Sequence, residues 1–152
     1  VTELETCWDY PEPFLWRARV TAEDIDELAH TRNTVYVNWC MDAAWAHTTA
    51  LGLGAKEYQS LDRAMALTRA EYEYLKSTYL GEDVLVGTWI TKWDKRLTME
   101  RCIQIIQQPS QHTVLRARLE FVCIEISSGR PKRPPPAFIE RYEPAIIQTG
   151  AK

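Results

Sequence analysis

Between Val35 and Leu51 the chain carries one charged side chain, Asp42, with His47 counted as neutral. Val35, Tyr36, Trp39, Cys40, Ala43, Ala46 and Ala50 recur at helical spacing, and Val37, Ala44 and Leu51 extend the apolar surface most of the way round. Gly52 and Gly54 supply a stop. A helix over residues 34–51 with so little polar surface is a buried rod, and the rest of the chain has to cover it.

Most of the rest reads as strand. Residues 14–22 alternate Trp16, Ala18 and Val20 with Arg17, Arg19 and Thr21. Residues 63–78, 83–93, 97–107 and 113–126 are rich in Val, Ile, Tyr, Trp and Thr. They are separated by Gly81, by Asp94-Lys95-Arg96 and by Pro109-Ser110, and the last ends at Ser127-Ser128-Gly129. A short turn of helix fits residues 55–61. The order is strand, buried helix, then four long strands. It predicts an α+β fold in which an antiparallel sheet of five or six strands wraps one long central helix. With 152 residues the expectation is a single domain, 1–152, with its core at about 14–136 and an extended C-terminal tail after about 137. One sheet cannot cover such a helix on every side, so a second copy is expected: a homodimer, or a homotetramer built as a dimer of dimers.

Composition narrows the function classes. A net charge of −3, with no basic face carrying interleaved aromatics, argues against nucleic acid as a partner. Cys7, Cys40, Cys102 and Cys123 are widely spaced with no C-x-x-C, and His30, His47 and His112 lack ligand spacing; reduced thiols and no metal are expected. No apolar run approaches about 18 residues, so no membrane span is expected. Val1-Thr2-Glu3-Leu4-Glu5 has acids where a signal peptide has a basic region. The cytoplasm is the expected location. No G-x-S-x-G elbow surrounds a serine, and no Gly-rich loop could cradle a phosphate cofactor.

The stretch Asp24-Ile25-Asp26-Glu27-Leu28-Ala29-His30-Thr31-Arg32-Asn33 leads straight into the buried helix. A carboxylate held beside a helix N-terminus suits acyl transfer. It attacks a carbonyl or draws a proton from water, while free N–H groups of the first turn, near Thr34 to Tyr36, hold the oxyanion. The same acids could simply form Asx-turns and favour the helix dipole. His30 either orders the loop or touches substrate. Asn33 reads as the N-cap or a loop-ordering residue. Tyr36 and Trp39 read as core, with Tyr36 close enough to the first turn to line an acyl pocket. Arg130, Lys132 and Arg133 form a basic cluster that either solvates an edge or meets phosphates.

From Asp24 to Trp39 the chain resembles the D-x-D-x-x-x-H-x-N-N-x-x-Y-x-x-W pattern of hotdog-fold thioesterases, of the 4-hydroxybenzoyl-CoA thioesterase-like and acyl-ACP thioesterase kinds. Further matches follow in order at Arg69-Ala70-Glu71-Tyr72-Glu73-Tyr74-Leu75, Gly81-Glu82-Asp83, Thr88-Trp89-Ile90 and Ser128-Gly129-Arg130-Pro131. The resemblance implies a hotdog fold and hydrolysis of an acyl-CoA or acyl-ACP thioester. Asp26 would be nucleophile or general base. His30, Arg32, Asn33, Thr34, Val35 and Tyr36 would bind substrate in a site between subunits. It implies no cofactor beyond the coenzyme A of the substrate. The alternative is a hotdog protein that binds acyl thioesters without cleaving them. Two departures stand out: the family's N-N pair is Arg32-Asn33, and Met41 and Ala44 replace an E-x-x-R found further along the helix in many relatives.

Overall fold

A computed structural model describes residues 7–147, so the acidic start of the chain lies outside the described residues. The elements run β1 (Phe14–Arg19), α1 (Asn33–Ala50), α2 (Ala55–Leu61), β2 (Arg63–Tyr74), β3 (Asp83–Trp93), β4 (Thr98–Gln108), β5 (Thr113–Glu125) and α3 (Pro136–Tyr142). Five antiparallel strands form one sheet in the order β1-β3-β4-β5-β2. Its concave face wraps α1, the arrangement that the chain order predicts.

Period-two alternation sets which side chains meet the helix. On β5, Leu115, Ala117, Leu119, Phe121 and Cys123 are buried, while Arg116, Arg118 and Glu120 are exposed. The inward residues pack with Val84, Val86 and Ile90 of β3 and Ile103 and Ile105 of β4 against Tyr36, Trp39, Cys40 and Ala43 of α1. Cys40 and Ala43 have no exposed surface, and their small side chains let the helix sit low on the sheet. The expected cover is incomplete on one side: Asn38, Asp42, Trp45 and Thr49 form an exposed stripe along α1.

The opposite face of the sheet is also covered, by residues 7–13. Trp8 lies against Gly87, where a Cβ would sit 2.6 Å from the indole. Trp8 and Tyr10 meet Trp89 edge-on, and the Trp89 indole N–H donates to the Pro11 carbonyl at 2.9 Å. Arg116 grips Asp9 through Nε and Nη2.

Three expectations need correction. The first strand stops at Arg19 rather than at residue 22, because Ala22–Asp24 form a 3-10 turn. The second strand stops at Tyr74 rather than Thr78, because the chain turns away there to carry Thr78 to the start of α1. Residues 136–145 are helical rather than an extended tail. Pro136 takes a first-turn position, where its missing N–H costs nothing, and Phe138 and Tyr142, four residues apart on one helical face, are buried at 0% and 1% exposure. They pack on Tyr58 and Trp93, so the core extends past 136 and α3 closes the open end of the sheet. No disulfide links Cys40, Cys102 and Cys123. Among the described residues no helix is long and apolar enough to cross a membrane.

Candidate active site

The acidic stretch folds into a small hairpin whose second arm runs directly into α1. Ile25 bridges Thr31, Asp26 N–H donates to the His30 carbonyl at 2.8 Å, and Arg32 N–H donates to the Asp24 carbonyl at 2.8 Å. In this register Ile25 and Thr31 face inward, Ile25 onto the core and Thr31 buried at 3% exposure. Asp26 and His30, opposite one another, are half-buried, and Arg32 is exposed.

Asp24 and Asp26 do different work. Asp24 Oδ2 accepts from Thr21 N–H and the Thr21 hydroxyl, reciprocally capping the 3-10 turn at Ala22–Asp24. Asp26 Oδ1 accepts from Leu28 N–H at 2.9 Å and His30 N–H at 3.1 Å, while its Oδ2 has no partner among the described residues. The His30 N–H, then the Leu28 N–H and the nearby His30 and Arg32 side chains, hold the Asp26 carboxyl below the usual carboxylate range against the opposing effect of partial burial. One oxygen is pinned, and the other is presented as an anion at neutral pH.

The hairpin is braced from below by residues 75–82. Thr31 N–H and hydroxyl both reach the Thr78 carbonyl at 3.0 Å. The Thr78 hydroxyl meets those of Thr31 and Tyr36, and Thr78 N–H donates to Tyr36 Oη at 3.0 Å. Tyr36, at 3% exposure, therefore spends its hydroxyl on this clasp. Its ring lies edge-on to Trp39 and near Tyr74. His30 stacks edge-on against Tyr79. Thr31 and Thr78 are the bracing residues that sequence reasoning did not single out, and their only signal is a hydroxyl at an otherwise apolar inward position.

At the helix start, Asn33 is not the N-cap. Arg32 occupies that position, without a side-chain capping bond, and Asn33 is the first helical residue. The hairpin fixes this, because Arg32 is still paired to Asp24 and cannot turn helical. Val35 N–H is taken by the Arg32 carbonyl at 3.0 Å; those of Asn33 and Thr34 have no acceptor among the described residues, and both residues are exposed. The free donors thus lie one residue earlier than expected. Arg32, with no ion pair among the described residues, stands beside them.

Other polar groups are elsewhere. Lys132 is paired with Glu125 at 2.7 Å, and the cluster of Arg130, Lys132 and Arg133 sits where β5 leaves the sheet, at the Arg63 end of β2, opposite the Asp26 end. Among the described residues no group of three or more His, Cys, Asp or Glu could hold a metal.

Residues 20–142 match the thioesterase-like superfamily. The chain belongs to this superfamily. Protein THEM6 of Danio rerio is 32% identical over 78 residues, which span 51% of this chain and 38% of that protein; the chain thus matches well under half the length of this curated relative. Two solved members of the same fold illustrate the architecture. Slr0204, a 1,4-dihydroxy-2-naphthoyl-CoA thioesterase from Synechocystis, superposes with a TM-score of 0.77 at 20% identity, covering 93% of this chain and all of that one. SAV2348 of Staphylococcus aureus, solved in complex with CoA, superposes at 0.81 with 18% identity, covering 95% and 92%. The thioesterase-like superfamily and its hotdog fold account for the whole described architecture of sheet and central helix.

Proposed function

We propose that this chain hydrolyses acyl thioesters, with Asp26 as nucleophile or general base and the Asn33 and Thr34 N–H groups as the oxyanion site. The observation that carries the reading is the pairing of one unengaged carboxylate oxygen with two unengaged first-turn donors, joined by a hairpin of fixed register. In the nucleophilic route Asp26 Oδ2 adds to the thioester carbonyl, and negative charge gathers on the carbonyl oxygen beside the helix N-terminus. The C–S bond then breaks with the thiolate as leaving group, and water cleaves the acyl–aspartyl anhydride, releasing the acid, regenerating the Asp26 carboxylate and supplying the proton that the thiolate takes up. In the general-base route Asp26 takes a proton from the attacking water. The hydrogen bonds that lower the Asp26 pKa keep its carboxylate ionised at neutral pH, the form that both routes require. Each oxyanion donor would be worth roughly 3 kcal/mol.

Coenzyme A is the favoured thiol half, with acyl carrier protein as the other, since a relative of the same fold binds CoA. Arg32 would meet its phosphates or an anionic acyl group, His30 would order the rim, and Val35 with the ring of Tyr36 would flank the acyl chain. β2 is a twelve-residue edge strand, so two copies joined antiparallel along it would form one continuous sheet. That pairing would carry one subunit's Arg130, Lys132 and Arg133 towards the Asp26 end of the other. Residues 7–13, lying over the outer sheet face, leave less of that face for a dimer of dimers, which favours the homodimer.

The test is thiol release from short, medium, long and aromatic acyl-CoAs and from acyl-ACP, with wild type and Asp26→Ala side by side. Turnover in wild type and a loss on the order of 10²–10⁴-fold in the variant are expected. Undiminished turnover in Asp26→Ala removes the mechanism. Saturable binding of every thioester without thiol release would instead establish the acyl-thioester binder.

A further inference from the structure

Arg101 lies on the inner face of β4 between Met99 and Ile103, a cation in an otherwise apolar row. It is 2% exposed. Its Nη1 donates to His47 Nδ1 and to the Thr88 hydroxyl, each at 2.9 Å, and its Nη2 reaches the Thr48 hydroxyl at 3.4 Å. These account for three of the five donors of a guanidinium. The Nε–H and one Nη2–H have no acceptor among the described residues, and no carboxylate forms an ion pair with it there. The neighbouring Tyr58 and Tyr142, hydrogen-bonded to each other, are held in their neutral form by burial. Burial lowers Arg101 only to about 10, so it is charged at neutral pH. Burial, followed by the charge of Arg101, pushes His47 down to about 4, so His47 adds no charge. A buried, uncompensated cation is costly in a folded protein, and its usual partner is an anion.

The space in front of Arg101 suits one. A cavity of about 110 Å³ lies between the C-terminal half of α1 and the inner faces of β2, β4 and β5. Arg101, Thr48, Tyr58 and Tyr142 form its buried floor, and Met41, Met65, Met99 and Phe121 its walls. Its mouth lies between Trp45 and Leu67, exposed at 44% and 43%. Thr48 is roughly 22 Å along the helix axis from Asn33, so this cavity is separate from the Asp26 site.

We propose that the cavity is a binding pocket for an apolar monocarboxylate, a free fatty acid of medium chain length, whose carboxylate seats on the Nε and Nη2 side of Arg101. The same two atoms hold Asp83 on Arg19 and Asp9 on Arg116 elsewhere in this chain, and they match the two oxygens of a carboxylate. One cation with no second positive group suits a single negative charge rather than a phosphate. The methionine and phenylalanine walls suit alkyl carbons. A cavity somewhat smaller than the ~150 Å³ that accepts benzene holds the head and the first carbons, and the rest of the chain leaves between Trp45 and Leu67.

The experiment measures octanoate, octan-1-ol and octylammonium binding to the whole protein by titration calorimetry and thermal shift. Octanoate is expected to bind at least tenfold more tightly than octanol and to raise Tm, and octylammonium not to bind. Arg101→Met is expected to bring octanoate down to the level of octanol. Ala44→Leu, which fills the cavity from the helix side and leaves Arg101 intact, is expected to abolish binding of both. Should Arg101→Met fail to fold, wild type and Ala44→Leu decide the matter. Equal binding of octanoate and octanol to wild type, no octanoate binding at all, or octanoate binding at the wild-type level in either folded variant overturns the proposal. Octanoate binding is expected to persist in Asp26→Asn. Octanoate binding by a wild-type protein that releases no thiol from any thioester would sink only the hydrolase reading, and wild-type turnover without octanoate binding would sink only this pocket.

Discussion

The two ends of α1 present opposite chemistry. At its first turn the helix meets a half-buried anion, Asp26, two N–H groups without acceptors and an exposed Arg32. Four turns on, it meets a buried cation, Arg101, a neutral His47 and a pair of hydrogen-bonded tyrosines. The first end is organised mainly by local backbone bonds within eight residues, with Thr78 and Tyr79 the long-range partners described there. The second is assembled from β3, β4, α1, α2 and α3, with partners up to 94 residues apart. Local bonding leaves the carboxylate partly exposed to water. Tertiary enclosure removes water from Arg101 and makes its charge available only to a ligand that fits.

Asp26→Asn separates charge from loop geometry, because the amide oxygen can still accept from Leu28 and His30. Turnover is expected to fall on the order of 10²–10⁴-fold with Tm close to wild type; a large drop in Tm instead would mean that the carboxylate is structural. Acid distinguishes the two ends next. Asp26 sits below its ordinary range, so kcat/KM should stay level from neutral pH downward and fall only below that range. Any stability Asp26 contributes is present above its unfolded pKa and lost as pH falls through the folded one. His47 is lowered from 6.5 to about 4. The unfolded chain therefore binds its proton first, and stability falls as pH drops from about 6.5 towards 4. Thermal melts across that window should show the slope in wild type and lose it in His47→Gln, which keeps an acceptor for Arg101 but does not titrate.

Thr78→Val removes the hydroxyl shared by Thr31 and Tyr36. A cost of about 1–3 kcal/mol is expected, read as a Tm drop of about 2–4 °C per kcal/mol, together with reduced turnover because the hairpin loses its brace. An unchanged Tm would show that the first end stands on local bonds alone. The smallest effect expected is that of Arg32→Gln: a KM for acyl-CoA raised a few-fold, with kcat changed less. Steady-state kinetics at two ionic strengths would check this, since an exposed charge is screened by salt.

The fold was largely legible because its signal is periodic. The helix boundaries shifted by one residue, β3 matched its expected bounds, both ends of β4 moved by one and β5 lost one residue at its end, since spacing of apolar side chains reports burial directly. The position of Asp26 just ahead of the helix start was legible as well. Three features were not. Asn33 looks like a cap, but pairing of Arg32 with Asp24 moves the helix start. The prolines after Gly129 suggest an extended tail, but Pro136 opens a helix and Phe138 and Tyr142 anchor it. Thr78 belongs to a connection whose partners lie more than 40 residues away in the chain.

What the amino-acid order decided by itself is the buried rod, the strands that wrap it and a carboxylate placed just before its first turn, all of them consequences of spacing along one stretch of chain. What only the tertiary structure decided is that Thr78 clasps Thr31 and Tyr36 beneath the hairpin and that Arg101 is enclosed without a counter-charge. On β4, Arg101 occupies an inward position in the alternation Met99, Arg101, Ile103, Ile105, but its charge alone gives no hint of burial. That depends on α1 and α3 closing over it, and long-range closure leaves no periodic trace in the residues it buries.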